Sequence, residues 1–185
     1  MLLNVCCAPC CLPVIEHLID PVVGDKPFSL FFYGPNIYPE DEYGRRLAAV
    51  RQVAAIYKLA LFEGEYKHGN WLAYVKSKLA DPPENYQENG ERCLRCFEFR
   101  LEETAKFAKS NGFDSYAATL SVSRFKDVFY INQYGRLMAD KYGLDYRTFA
   151  LNPELSHKRG LDLSRQLGIY RQKYCGCEFS LPRGA

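Results

Sequence analysis

Eight cysteines gathered into three tight groups constrain this chain more than any other feature: Cys6, Cys7, Cys10 and Cys11 near its start, Cys93 and Cys96 at its middle, Cys175 and Cys177 near its end. In a short secreted chain an even count would suggest a disulfide framework. Here most neighbours are too close, because bridges between adjacent cysteines or across C-x-C strain the preferred geometry. The chain has 185 residues, 48% of them hydrophobic, and can bury a core without staples. Free cysteine is often a small buried hydrophobe, which accounts for one or two thiols but not for C-C-x-x-C-C, C-x-x-C and C-x-C together. Each such pair can turn its sulfurs toward one point, as a soft metal or an iron–sulfur cluster requires. Metal binding is the reading that covers all three groups. A closed four-thiolate site leaves several thiols over, enough for a second metal with an open position. Spacing alone does not apportion them.

Charge and hydropathy narrow the setting. Lys+Arg 24 against Asp+Glu 22 leaves a net charge of +2, which excludes a broad cationic surface but not a local basic patch. No apolar run approaches the roughly 18 residues of a membrane span. The opening MLLNVCCAPCC has no basic region ahead of its apolar stretch, unlike a secretory signal. The expectation is a cytoplasmic chain, whose thiols stay reduced.

The pattern along the chain predicts alternating strands and helices. Leu2 to Val5 reads as a buried first strand, with Pro13 in the first turn of the helix after it and Cys10 and Cys11 at the junction. Phe28 to Tyr33 is a second strand. A helix follows from about Glu42, with Tyr43, Leu47, Val50, Ala54 and Tyr57 on one stripe. Leu59 to Phe62 predicts a third strand and Trp71 to Leu79 a helix. From Cys93 to about Ser110 a further helix puts Phe97, Leu101, Ala105 and Ala108 on one face. Its first turn carries Cys93 and Cys96 at i and i+3, where backbone N–H groups favour thiolate. Asp114 to Leu120 predicts a strand, Asp127 to Tyr142 a helix, Leu144 to Ala150 a last strand, and 160–172 a last helix. Alternation of this kind specifies an α/β fold, a Rossmann-like parallel sheet flanked by helices, in one domain over 1–185. Sites in such folds form outside the carboxyl ends of the strands.

Five segments, CCAPC (Cys6 to Cys10), GPNIYPEDEYGRR (Gly34 to Arg46), ERCLRCFEFRLEETAKFAKSNGFD (Glu91 to Asp114), TLSVSRFKD (Thr119 to Asp127) and IYRQKYCGCEFS (Ile169 to Ser180), resemble the QueH family in the same order over nearly the whole chain. Members are cobalamin-independent epoxyqueuosine reductases. The resemblance implies a fold like the nucleotide α-hydrolase type and reduction of epoxyqueuosine to queuosine at the wobble position of tRNA. It also implies a [4Fe–4S] cluster with a second metal ion, iron or zinc, close by. Cys6, Cys7, Cys10, Cys93, Cys96, Cys175 and Cys177 match the family's metal-binding cysteines. Cys11 departs from it, as do Asn152 to Gly160 (NPELSHKRG) and Ser123-Arg124-Phe125-Lys126, where Ser-Pro-x-Lys is more usual.

Deoxygenating an epoxide to an alkene consumes two electrons and two protons and releases water. With no G-x-G-x-x-G fingerprint in the chain, electrons are expected from an external ferredoxin or flavodoxin. Glu42 is the candidate proton donor; the competing reading is an acidic residue that complements a helix dipole. Arg124, Lys126, Arg171 and Lys173 are candidate RNA contacts, with Tyr170 and Tyr174 as stacking faces; ordinary solvated charge is the alternative. Two rival functions remain in view. A tRNA-thiolating ATPase would need an S-G-G-x-D-S phosphate loop where Cys6 to Cys10 stand. A zinc-stabilised RNA-binding module without redox activity would explain the cysteines and the late basic residues, but not the excess of thiols.

Overall fold

The structure is a computed structural model describing residues 1–22 and 27–181. Its centre is β1 (Leu2–Val5), all four residues buried. It pairs in parallel with β2 (Ser29–Phe32) on one side and β4 (Ser115–Ala118) on the other. Beyond them lie β3 (Leu61–Glu63) and β5 (Asp145–Tyr146), giving the all-parallel order β3-β2-β1-β4-β5. The inner strands are apolar on both faces because helices cover both, the usual condition of a parallel sheet. Six α-helices complete the α/β, Rossmann-like arrangement: α1 (Ala8–Ile19), α2 (Glu40–Tyr57), α3 (His68–Ser77), α4 (Glu91–Ser110), α5 (Val128–Tyr142) and α6 (Pro153–Gln166). No helix among the described residues is long and apolar enough to cross a membrane.

Three boundaries differ from the sequence pattern for physical reasons. Helix α1 begins at Ala8, so Pro9 takes the first-turn position, Pro13 lies inside the helix, and Cys6 and Cys7 form the junction. Pro13 has no N–H for the carbonyl of Pro9, the acceptor four residues back. Strand β5 is two residues long instead of seven, since it sits at the edge and β4 ends at Ala118, where the chain tightens into a 3₁₀ turn over Thr119–Val122. Helix α6 runs over Pro153–Gln166 rather than 160–172: Asn152 caps it by accepting from the N–H groups of Glu154 and Leu155, and Pro153 fits the first turn.

Gly160 is therefore a mid-helix glycine, and its role is close approach. A Cβ there would stand 2.0 Å from the Pro9 carbonyl oxygen. The carbonyl that Pro13 leaves unbonded thus faces the one residue type in α6 with no side chain. Helices α1 and α6 pack together at this point, fixing the first cysteine group against the end of the chain.

Candidate metal centre

The sheet order reverses between β1 and β4, and the loops that follow those two strands border one cavity of about 550 Å³. Cys6, Cys7, Cys10 and Cys175 line it. Cys93, Cys96 and Cys177 are buried beside it, the latter two packed with Trp71 and Val75. All eight cysteines are free thiols. Cys11 stands apart: it is fully buried in the core, and its sulfhydryl donates to the Ala8 carbonyl at 3.2 Å.

The seven thiols fall into two sets by the influence they exert on one another. Cys6, Cys7 and Cys10 form one; a hydrogen bond with Cys10, then burial, pushes the Cys7 thiol up to about 12. Cys93, Cys96, Cys175 and Cys177 form the other, and burial pushes Cys96 up to about 12. Such thiols are neutral near pH 7 until a metal takes the place of the proton. Among the described residues, no three His, Cys, Asp or Glu side chains converge closely enough to hold a single ion.

Cations lie between and around the sets. Arg100, one helical turn beyond Cys96 on α4, is 3% exposed, and its Nε and Nη2 have no hydrogen-bond acceptor. It interacts electrostatically with Cys6 in one set and with Cys96 and Cys175 in the other. Lys126 donates to the Cys175 sulfur at 3.3 Å and also feels Cys6 and Cys10. Burial disfavours both cations, yet the nearby sulfurs hold their pKa values above the ordinary range. A buried and a half-buried cation beside sulfurs call for negative charge at those sulfurs. The donor set, all thiol, with cations beside it, one of them keeping two unfilled donors, fits an anionic iron–sulfur cluster.

Glu42 lies on the first turn of α2 and is 1% exposed. Its carboxylate accepts from Arg46 Nε at 2.7 Å, from Arg45 at 2.9 and 3.1 Å, and from the Tyr170 hydroxyl at 2.7 Å. Burial works to raise its pKa, but the hydrogen bonds from Tyr170 and Arg46 and the charge of Arg46 outweigh it and hold the carboxyl below its usual range. In this arrangement it is an acceptor of four hydrogen bonds. Arg46, equally buried, also donates to the main-chain carbonyls of Tyr174 and Cys175 at 3.0 and 2.9 Å. Glu42 and Arg46 thus moor the cysteine-bearing tail to α2. His68 is a second mooring, with its ring nitrogens 2.7 Å from Glu178 and 2.9 Å from the Pro35 carbonyl.

The basic residues singled out in the sequence part company here. Lys126 turns inward to the sulfurs, whereas Arg171 and Lys173 are exposed and line the cavity. Arg124 is also exposed on the cavity wall and pairs with Glu154 at 2.6 Å. Tyr170 and Tyr174 are engaged: Tyr170 donates to Glu42, Tyr174 to the Tyr38 carbonyl, and Arg45 and Arg46 lie over their rings. Arg46 and Arg100 were not among the sequence candidates. Each falls on the apolar stripe of its helix, Arg46 beside Leu47 and Arg100 beside Leu101, and a charge on such a stripe is the signal that marks it.

Comparison with known proteins gives a consistent result. The sequence model of the family described as Epoxyqueuosine reductase QueH matches residues 1–183. A protein named epoxyqueuosine reductase QueH from Thermotoga maritima is 38% identical, over 98% of this chain and 90% of its own. One of the same name from Acinetobacter baylyi is 34% identical over 98% of this chain and 80% of its own. That from Haemophilus influenzae is 33% identical over 98% and 71%.

Proposed function

The chain belongs to the QueH family and is an oxidoreductase; from that premise we propose that it reduces epoxyqueuosine to queuosine at the wobble position of tRNA. The overall change adds two electrons and two protons, breaks both C–O bonds of the epoxide, and releases the oxygen as water. The observation that carries the metal part of this reading is Arg100, buried with two unfilled donors and under the electrostatic influence of Cys6, Cys96 and Cys175. Cys93, Cys96, Cys175 and Cys177 would hold a [4Fe–4S] cluster. Cys6, Cys7 and Cys10, on the cavity wall, would draw together from their present spacing to hold a second metal, iron or zinc, with a position open to substrate. When bound, the cluster supplies electrons one at a time and the second metal supplies Lewis acidity.

The chain's own residues supply the setting. The cavity of about 550 Å³ is in the range that takes a modified nucleobase. Lys126, on the cavity wall, places positive charge where an oxygen would develop negative charge as its C–O bonds break. Arg171 and Lys173, exposed at the cavity, are suited to backbone phosphates. Electrons enter from an external one-electron carrier of the ferredoxin or flavodoxin class.

The test is iron, zinc and acid-labile sulfide per chain on protein purified without oxygen, followed by assay on tRNA bearing epoxyqueuosine with a chemical reductant. The expected result is about four sulfides with four irons plus one further metal, and queuosine as product. Cys93→Ala and Cys96→Ala lose iron and turnover, while Cys11→Ala keeps both. One zinc with no sulfide after cluster reconstitution would overturn the redox reading in favour of a structural-zinc module.

A further inference from the structure

Phe125 stands on the cavity wall in the short loop that follows β4, and 49% of its surface is exposed. The loop is shaped by the Phe125 N–H donating to the Ser123 hydroxyl at 3.3 Å. Arg124 lies over the ring, 4.4 Å from its centroid, and is itself tied to Glu154 on α6. The His157 ring meets it nearly perpendicularly, at 88° and 5.1 Å. The phenyl ring is therefore held in place from two sides while half of it faces water. A phenyl group has no polar atom with which to profit from that exposure. Its neighbours on the wall include the exposed cations Arg124, Arg171 and Lys173. An aromatic face among cations, at the mouth of a cavity, has the composition that single-stranded nucleic acid recognises: phosphate charge and base stacking together.

Depth decides which base the ring meets. The reacting group has to reach Cys6, Cys7 and Cys10, which are buried or half-buried, so the modified base fills the interior, whereas Phe125 keeps 49% of its surface open to water. We infer that Phe125, backed by Arg124, stacks on an unmodified base next to the modified nucleotide, holding the anticodon loop open while that nucleotide enters the cavity. Tyr170 and Tyr174, the expected stacking residues, are committed to mooring the tail instead. The inference rests on the proposed tRNA reaction and adds a specificity element to it: the enzyme reads the neighbour of its target through a residue outside the proposed ligand set.

The experiment is a double-mutant cycle between protein and RNA, using synthetic anticodon stem-loops that carry epoxyqueuosine. Three RNAs are compared: intact, abasic on the 5′ side of the modified nucleotide, and abasic on its 3′ side. Binding is measured for the wild-type protein and for Phe125→Ala and Phe125→Trp, with iron content as the check on folding. Phe125→Ala is expected to weaken the intact RNA about five- to hundredfold, and Phe125→Trp to leave it within a few fold. With one of the two abasic RNAs, Phe125→Ala should cost nothing further. An equal loss on all three RNAs, or no loss on any, would overturn the inference. A wild-type protein that binds none of the three would instead count against the tRNA reaction itself.

Discussion

Arg46 donates to the main-chain carbonyl of Cys175 at 2.9 Å, a contact that spans 129 residues of sequence. Its Nε is 2.7 Å from the Glu42 carboxylate, with both side chains 1% exposed. Removing one partner of a buried pair leaves the other uncompensated, at a cost of about 3–5 kcal/mol. Arg46→Met is therefore expected to lower the melting temperature of the apo protein sharply and to prevent iron retention. Arg46→Lys keeps the charge but loses the planar fork that serves Glu42, Tyr174 and Cys175 at once, and should fall between the two. A melting temperature unchanged in Arg46→Met would refute the mooring role.

Acid stability follows from the same pair. Glu42 has a depressed pKa when folded, so the folded state binds fewer protons at this group than the unfolded chain. Its contribution is fully present above the unfolded value, about 4.3, and is lost as pH falls through the folded one. Glu42→Gln should lower stability at pH 7 and flatten the acid limb of the stability curve. Chemical denaturation of the apo protein between pH 3 and pH 7 measures both effects.

Arg100 places a buried positive charge beside the thiols of the proposed cluster. Arg100→Met should reduce iron retention and move the potential of any retained cluster downward, because the reduced, more negative state loses more. A tenfold change in the one-electron equilibrium is about 59 mV, which redox titration followed by electron paramagnetic resonance resolves. Arg100→Lys should restore part of the shift. Equal potentials in wild type and both variants would rule out a charge effect.

Gly160→Ala puts a methyl group against the Pro9 carbonyl, which stands 2.0 Å from the Cβ position. A flexible side chain could yield; two helix backbones have to separate. The expected destabilisation is at least the roughly 1–3 kcal/mol typical of overpacking, despite the better helix propensity of alanine. The melting temperature of the apo protein reports it directly. A stabilised variant would mean that α1 and α6 do not meet at this point.

Much of the fold was legible because the strands and helices here obey their periods. Leu2 to Val5, the α4 stripe of Phe97, Leu101, Ala105 and Ala108, and the alternation of the elements all carried over to the structure. The end of the chain was less legible. Gly160 is a poor helix former, yet it is there for packing, and the Asn152-Pro153 start signal lay in a stretch read as loop. At the centre, cysteine spacing drew attention to the thiols but not to the charges that serve them. Arg46 and Arg100 differ from the other basic residues in sequence only by falling on an apolar stripe, and Lys126 groups there with the candidate RNA contacts. What separates them is direction, and direction comes from the helix face or loop on which each is mounted.

The seven thiols come from the start of α1 and the loop before it, the first turn of α4, and the segment beyond α6. Chain order therefore sets Cys175 and Cys177 apart from the other five. Their segment is held by side-chain contacts to α2 and to His68 rather than by a strand of the sheet. The set that includes them closes only when that strap docks, so anything enclosed there is shut in by a clasp and not by the frame.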